Sequence, residues 1–425
     1  MSRLRAPAFP EQAIRERARR GTAAAFPPVA KYGRTVFGGS PGLAADPLDA
    51  ARLVPPVFMP QRLEKLIELA REPMHWDVDL GARIGGFRSV LPCFLSAFGS
   101  TEVASGDAGQ AASRQAGALG MPMVIGENLV PVKGYGRMGG SMVGRIRAYA
   151  SELTDGLGGV AIQQSTEDAD AEVWNLVYSD CAAQPLLDSG RLAFELKVGQ
   201  GAKPGLGGMT VLDELSAGRM EAQFGLDRVV GPGQVLRCSS AGTFTEEILR
   251  QQVHLLRNNF PRARAWVKLH PGRDIAQAAS VAWEAGADAV TVDGAEGGTG
   301  WAPSAFLDHV GLPLSECLRR IGRPPSCLLV CGRMWEGARA VKALALGAAA
   351  VGLGRAALIA VDEDPQAGLV RLAECLALEM RLLINALGKY SAAALSPDDL
   401  WFPGDTWEGI HGSADSGHAP MPSLV

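Results

Sequence analysis

The stretch CLLVCGRMWEGARAVKALALGAAAVGLGRAALIAV, residues 327–361, decides the fold. It opens on a short apolar run, Cys327–Val330, and turns through Gly332–Arg333. A helical period then occupies Glu336–Leu346. A second apolar run, Ala349–Leu353, ends at Gly354 and Arg355. The two runs are apolar at successive positions, not alternate ones, so they read as strands buried on both faces. A helix between two such strands makes a parallel βαβ unit. Working outward, the same rhythm recurs at Leu91–Ala97, Met123–Ile125, Val160–Gln163, Phe194–Val198, Ala265–Leu269 and Ala289–Val292, with helical stretches such as Ile275–Ala285 between them. Eight strands over about 270 residues predict a (β/α)8 TIM barrel. A doubly wound sheet would carry GxGxxG after its first strand, and none stands there.

The flanks differ. Residues 1–88 show no repeat and read as an N-terminal cap segment, with an amphipathic helix at Pro60–Arg71 placing Leu63, Leu66, Ile67 and Ala70 on one side. The barrel is expected over 89–360, a C-terminal helical extension over 361–402 with a helix from Pro365 to Leu387, and a flexible tail over 403–425. The connection Gly205–Arg264 is too long for one crossover, and segments of that length are often functional lids.

Composition narrows the function. The chain has 47% hydrophobic and 20% charged residues, and its 41 basic and 45 acidic side chains give a net charge of −4. No basic excess points to nucleic acid. Seven cysteines without CxxC spacing argue against a disulfide framework and fit a reducing, cytoplasmic setting. The arginines at 3, 5, 15, 17, 19 and 20 precede no apolar run, so no secretory signal is read there. The most apolar region, Ala343–Val361, is broken by Arg355, so no membrane span is expected. His75, His254, His270, His309, His411 and His418 lack ligand spacing, and neither GxSxG nor a Walker A string occurs. No metal site is expected.

In a barrel, chemistry sits at the C-terminal ends of the strands. LKVGQGAKPGLGG, Leu196–Gly208, places Gln200 and Lys203 in a glycine-rich loop able to grip a carboxylate, or else forms a solvated turn. In AWVKLH, alternation puts Trp266, Lys268 and His270 on one face. A lysine there needs a partner: either the charge of a reduced cofactor or a barrel carboxylate such as Glu195. His270 reads equally as a general acid or a hydrogen-bonding group. VDGAEGGTGWAP, Val292–Pro303, offers Gly294, Gly297, Gly298 and Thr299 for close approach to a flat ring. Gly332 and Arg333, with Gly352, Gly354 and Arg355, stand where barrels bind phosphate at the last two strands, and otherwise would cap helices. The first two strand ends supply Ser96, Ala97, Phe98 and Gly99, then Glu127, which would meet a substrate amine or a proton-transfer step, or simply satisfy backbone amides.

The order KVGQGAKPGLGG, VKL, DGAEGGTG, CGR followed by EGARAVKALALGA, and GLGRAAL resembles the FMN-binding barrel of glutamate synthase, and most nearly the short stand-alone members of that glutamate synthase-like family. The likeness spans residues 50–400, and GKYSAAALSPDDL at 388–400 resembles their C-terminal element. It implies FMN with its phosphate on the Gly332–Arg333 and Gly352–Arg355 loops, and Ser96–Gly99 with Gly294, Gly297, Gly298 and Thr299 around the cofactor. It also implies Lys268 near the flavin N1/C2 carbonyl, and Gln200, Lys203 and Glu127 toward a 2-oxo acid. A cation near N1 favours the anionic reduced ring.

Three departures shape the expectation. The family's large enzymes begin with an amidotransferase domain, which 88 residues do not hold. They also bind an iron–sulfur cluster through close cysteines after strand eight, where this chain has Cys375 alone, so no cluster is expected. Their usual Met-Ser-Phe-Gly reads Ser96-Ala97-Phe98-Gly99, which removes a substrate contact. The expected activity is an FMN-dependent oxidoreduction between an amino acid and its imino or 2-oxo acid by hydride transfer at flavin N5, in a homo-oligomer, with a separate amidotransferase or electron-donor partner. The rival readings are an amino-acid or hydroxy-acid oxidase or dehydrogenase, and a non-catalytic FMN-binding subunit.

Overall fold

The computed structural model describes residues 4–6, 9–25, 46–98, 107–126, 142–154, 156–166, 171–201, 210–222, 225–228, 233–237, 243–298, 306 and 309–404. Eight parallel strands form a closed barrel: β1 (Cys93–Leu95), β2 (Met123–Ile125), β3 (Val160–Ser165), β4 (Leu192–Lys197), β5 (Arg264–Leu269), β6 (Ala289–Asp293), β7 (Leu328–Cys331) and β8 (Ala350–Leu353). Closure is made by β8 on β1, with Gly352 opposite Phe94. Each strand lies on one of the eight apolar runs. The helices that follow them are α1 (Asp107–Ala118), α2 (Met142–Ala150), α3 (Ala171–Ser179), α4 (Glu246–Asn259), α5 (Ile275–Glu284), α6 (Leu314–Ile321), α7 (Gly337–Ala345) and α8 (Arg355–Glu363). A longer helix, α9 (Gly368–Ala386), lies beyond the barrel.

Burial on both strand faces has two destinations. Val267 and Leu269 face outward into the layer between strands and helices. Trp266, Phe94, Val124 and Leu329 face inward. The N-terminal end of the barrel is stoppered by a hairpin, Ala82–Ile84 with Phe87–Ser89, whose Ile84 and Phe87 join that interior cluster. Trp266 donates from Nε1 to the Gly85 carbonyl at 3.1 Å. Gly85 has φ +54°, and a Cβ there would stand 2.3 Å from the indole, so this turn requires glycine. The bulk at this end leaves the polar chemistry to the other.

The long connection after β4 carries its own antiparallel sheet, Thr210–Asp213, Leu226–Asp227 and Gln234–Arg237. Thr245 then caps α4, its Oγ1 accepting from the Ile248 amide at 3.2 Å. The N-terminal helix Glu11–Arg20 docks on α8 and α9 through Arg15 to Asp362 (2.9 Å) and Arg17 to Glu379 (2.5 Å). The helix Pro60–Leu69 forms where the period predicted it, yet none of its residues is buried. The flexible tail expected over 403–425 lies, from residue 405 on, outside the described residues.

Candidate functional site at the C-terminal end of the barrel

Parallel register lines up the inward side chains at the strand ends. Gln163 of β3 stands beside Glu195 of β4, and Lys197 of β4 beside Lys268 of β5. Glu195 is fully enclosed and accepts from Gln163 Nε2 at 2.5 Å and Thr291 Oγ1 at 2.8 Å. Burial raises its carboxyl above the usual range, against the pull of Lys268. Lys268 lies 3.2 Å from Asp293 at the end of β6. Burial disfavours the ammonium, but Asp293 and Glu195 outweigh it and hold Lys268 protonated, its pKa raised. Cys331 approaches Ser96 Oγ at 3.3 Å, and burial pushes its thiol up to about 12. Of the two partners open to Lys268, the barrel supplies a carboxylate, and that carboxylate is Asp293, with Glu195 one strand away.

His270 follows Lys268, its ring against Gly199 and its Nδ1 buried without a hydrogen-bond partner among the described residues. Burial lowers its pKa, so the imidazole is neutral at neutral pH. Lys197 donates to Gln200 Oε1 at 3.4 Å. Gly201 backs onto the carbonyls of Gly294 and Gly297, bringing the β4 and β6 loops together. Phe98 instead joins the layer outside the strands, beneath the Arg145 guanidinium. The predicted residues Gly99, Glu127, Lys203 and Thr299 lie outside the described residues.

The ends of β7 and β8 bring two guanidiniums together. Gly332 has φ +138° and Arg333 φ +52°; a non-glycine residue in the left-handed region marks strain that the surroundings must enforce. Arg333 Nη1 donates to Asp49 at 3.1 Å, while its Nε is buried without a partner among the described residues. Arg355 lies against Gly298, donates to the Glu296 carbonyl at 2.6 Å, and has its pKa lowered by burial and then by Arg333. It opens α8, whose N-cap, Gly354, offers no side-chain bond to the free amides. Two repelling cations with spare donors at an uncapped helix N-terminus favour an anion.

Beneath them sits a cluster that the strand-end reading missed. Arg339 of α7 is 1% exposed and donates to the Gly332 carbonyl at 2.9 Å, Asp46 at 2.8 Å, Asp49 at 2.5 Å and Glu296 at 2.5 Å. Burial, then Asp46, pushes Glu296 up to about 8. The available signal was an arginine on the apolar stripe of a helix, next to Ala340 and Val341; such a charge needs a buried partner.

Fold and site define a (β/α)8 barrel with cations and glycine loops gathered at its C-terminal mouth. Residues 183–364 match the family model described as the conserved region in glutamate synthase. That match begins just ahead of β4, ends just after α8, and takes in Gln200, Lys203, Lys268, Arg333 and Arg355. An archaeal-type glutamate synthase [NADPH] from Dehalococcoides mccartyi is 34% identical over 186 residues, covering 41% of this chain and 36% of that protein. The chain spans about a third of the length of the first curated relatives it matches. In fold, a soluble mutant of the membrane-associated (S)-mandelate dehydrogenase from Pseudomonas putida aligns with TM-score 0.55 at 20% identity, over 93% of this chain and 99% of that one. A mandelate oxidase mutant with a monooxide FMN adduct aligns with TM-score 0.50 at 20% identity, over 84% and 88%.

Proposed function

We propose that this barrel binds FMN and works as an oxidoreductase of the glutamate synthase type, interconverting an amino acid and its imino or 2-oxo acid. The observation that carries the reading is the pairing of Arg333 and Arg355 at the β7 and β8 ends with a buried Lys268, ion-paired to Asp293, at the end of β5. The donor set fits the group. Among the described residues, Arg333 Nε lacks a partner, Gly354 leaves open space where a Cβ would stand, and the α8 amides lack a cap, all of which suits a phosphate. FMN, when bound, supplies hydride acceptance and donation at its N5.

This chain's own residues would do the rest. Arg333, Arg355 and the α8 amides hold the phosphate. The Lys268 ammonium, fixed by Asp293, would hold a positive charge at the strand-end face that stabilises negative charge on a bound cofactor. Gln200, tethered by Lys197, with Lys203 and Glu127, takes the substrate carboxylate and amine. Nitrogen and electrons come from separate partners.

The purified protein is expected to be yellow, with flavin absorption. Anaerobic bleaching by a panel of amino acids and hydroxy acids tests the substrate class: amino acids should bleach it. Bleaching by hydroxy acids alone, or peroxide on turnover in air, would instead favour an oxidase. Lys268→Met should slow flavin reduction by roughly tenfold or more; unchanged stopped-flow kinetics would reject its electronic role.

A further inference from the structure

We infer that the segment ahead of the barrel completes the anion site: Phe9 and Asp49 are positioning residues for Arg355 and Arg333. This rests on the FMN reading above and adds to it residues outside the glutamate synthase match, which begins at residue 183.

The two contacts are independent. The Phe9 ring lies under the Arg355 guanidinium, 4.2 Å from its centroid to Cζ. A ring under the flat face fixes the plane of the guanidinium while leaving its N–H edge open. One N–H goes to the Glu296 carbonyl, and the others have no partner among the described residues and can meet an anion. Asp49 sits in a short helix, Pro47–Ala50, that Asp46 caps through the Leu48 amide at 3.1 Å. Its two carboxylate oxygens divide between Arg333 Nη1 at 3.1 Å and Arg339 Nη1 at 2.5 Å. Lys342 also grips the Asp49 carbonyl at 3.1 Å. Asp49 therefore ties the strained Arg333 to the same buried guanidinium that holds the Gly332 carbonyl. Arg333 and Arg355 repel each other. Without Asp49 and Phe9, both long side chains have reason to swing apart toward water, and an anion must then bear the cost of gathering them.

Positioning through the phosphate predicts a split that a general structural role does not. The experiment uses the full chain, stripped of flavin and titrated with FMN and with riboflavin, which lacks the phosphate. Asp49→Asn and Phe9→Leu should each weaken FMN by roughly tenfold and riboflavin by less than about twofold. Asp49→Glu should recover part of the FMN affinity. Equal weakening of both flavins, or no change in either, would overturn the inference. Should Asp49→Asn fail to fold, Phe9→Leu, which leaves the Arg339 cluster intact, decides the matter. If the wild-type chain takes up neither flavin, the cofactor reading fails by itself. Calorimetry with inorganic phosphate then judges the positioning claim: weaker phosphate binding in Phe9→Leu upholds it, and unchanged binding sinks it.

Discussion

Glu296 holds a proton it would not keep in water. Burial and the Asp46 carboxylate raise its pKa from 4.5 to about 8. Between those values the folded protein binds a proton that the unfolded chain has released, so stability falls as pH rises through that window. Below it the contribution is fully present; above it the loss is complete. Asp46 runs the other way: its pKa is lowered, so its contribution fades only as pH falls through the acid range. Glu296→Gln removes the titration while keeping the shape. The fall in melting temperature between about pH 5 and about pH 8.5 should then shrink by roughly 2–4 °C relative to wild type. Thermal melts at the two pH values check this, and an unchanged slope would assign the pH dependence elsewhere. The sequence made Lys268, Arg333 and Arg355 legible because each stands at a strand end where a charge is unusual. It did not show Asp49 as the partner of Arg333, since 284 positions separate them and no local period links them.

At the scale of elements, the last helices pack through glycine. A Cβ on Gly368 would stand 1.9 Å from the Ala360 carbonyl oxygen, and one on Gly337 would stand 2.4 Å from Glu379 Cβ. These glycines set how closely α9 lies on α8 and α7. Backbone cannot yield as a flexible side chain can, so Gly368→Ala should destabilise by about 1–3 kcal/mol. Gly218, in the helix Glu214–Met220, has nothing among the described residues within 4 Å of its ideal Cβ. Alanine there should stabilise by about 0.5–1 kcal/mol through helix propensity. Chemical denaturation of the two variants measures both signs, and destabilisation by both would mean that propensity does not govern the second site. The eight strands were legible because burial on both faces leaves continuous apolar runs. The small sheet after β4 was not: its strands Leu226–Asp227 and Gln234–Arg237 are short, with at most two successive apolar residues, so neither period two nor an apolar run stands out.

Across the whole molecule, the N-terminal arginines show how far composition carries. As a sequence they form a basic cluster; folded, Arg15, Arg17 and Arg19 meet Asp362, Glu379 and Glu363, and tie the first helix to the last two. The helix Pro60–Leu69 shows the opposite outcome. Its period correctly foretold an amphipathic helix, but a period names an apolar face without naming what covers it. Leu63 is 60% and Ile67 69% exposed, and the neighbouring Val57 and Phe58 are 90% and 87% exposed. A core face would lose about 2–5 kcal/mol per truncated leucine or isoleucine, whereas exposed positions change stability by no more than about 0.5 kcal/mol. The double variant Leu63→Gln, Ile67→Gln should therefore melt within about 2 °C of wild type and bind less of a dye that seeks apolar surface. A large drop in melting temperature would show that this face packs against the body of the protein.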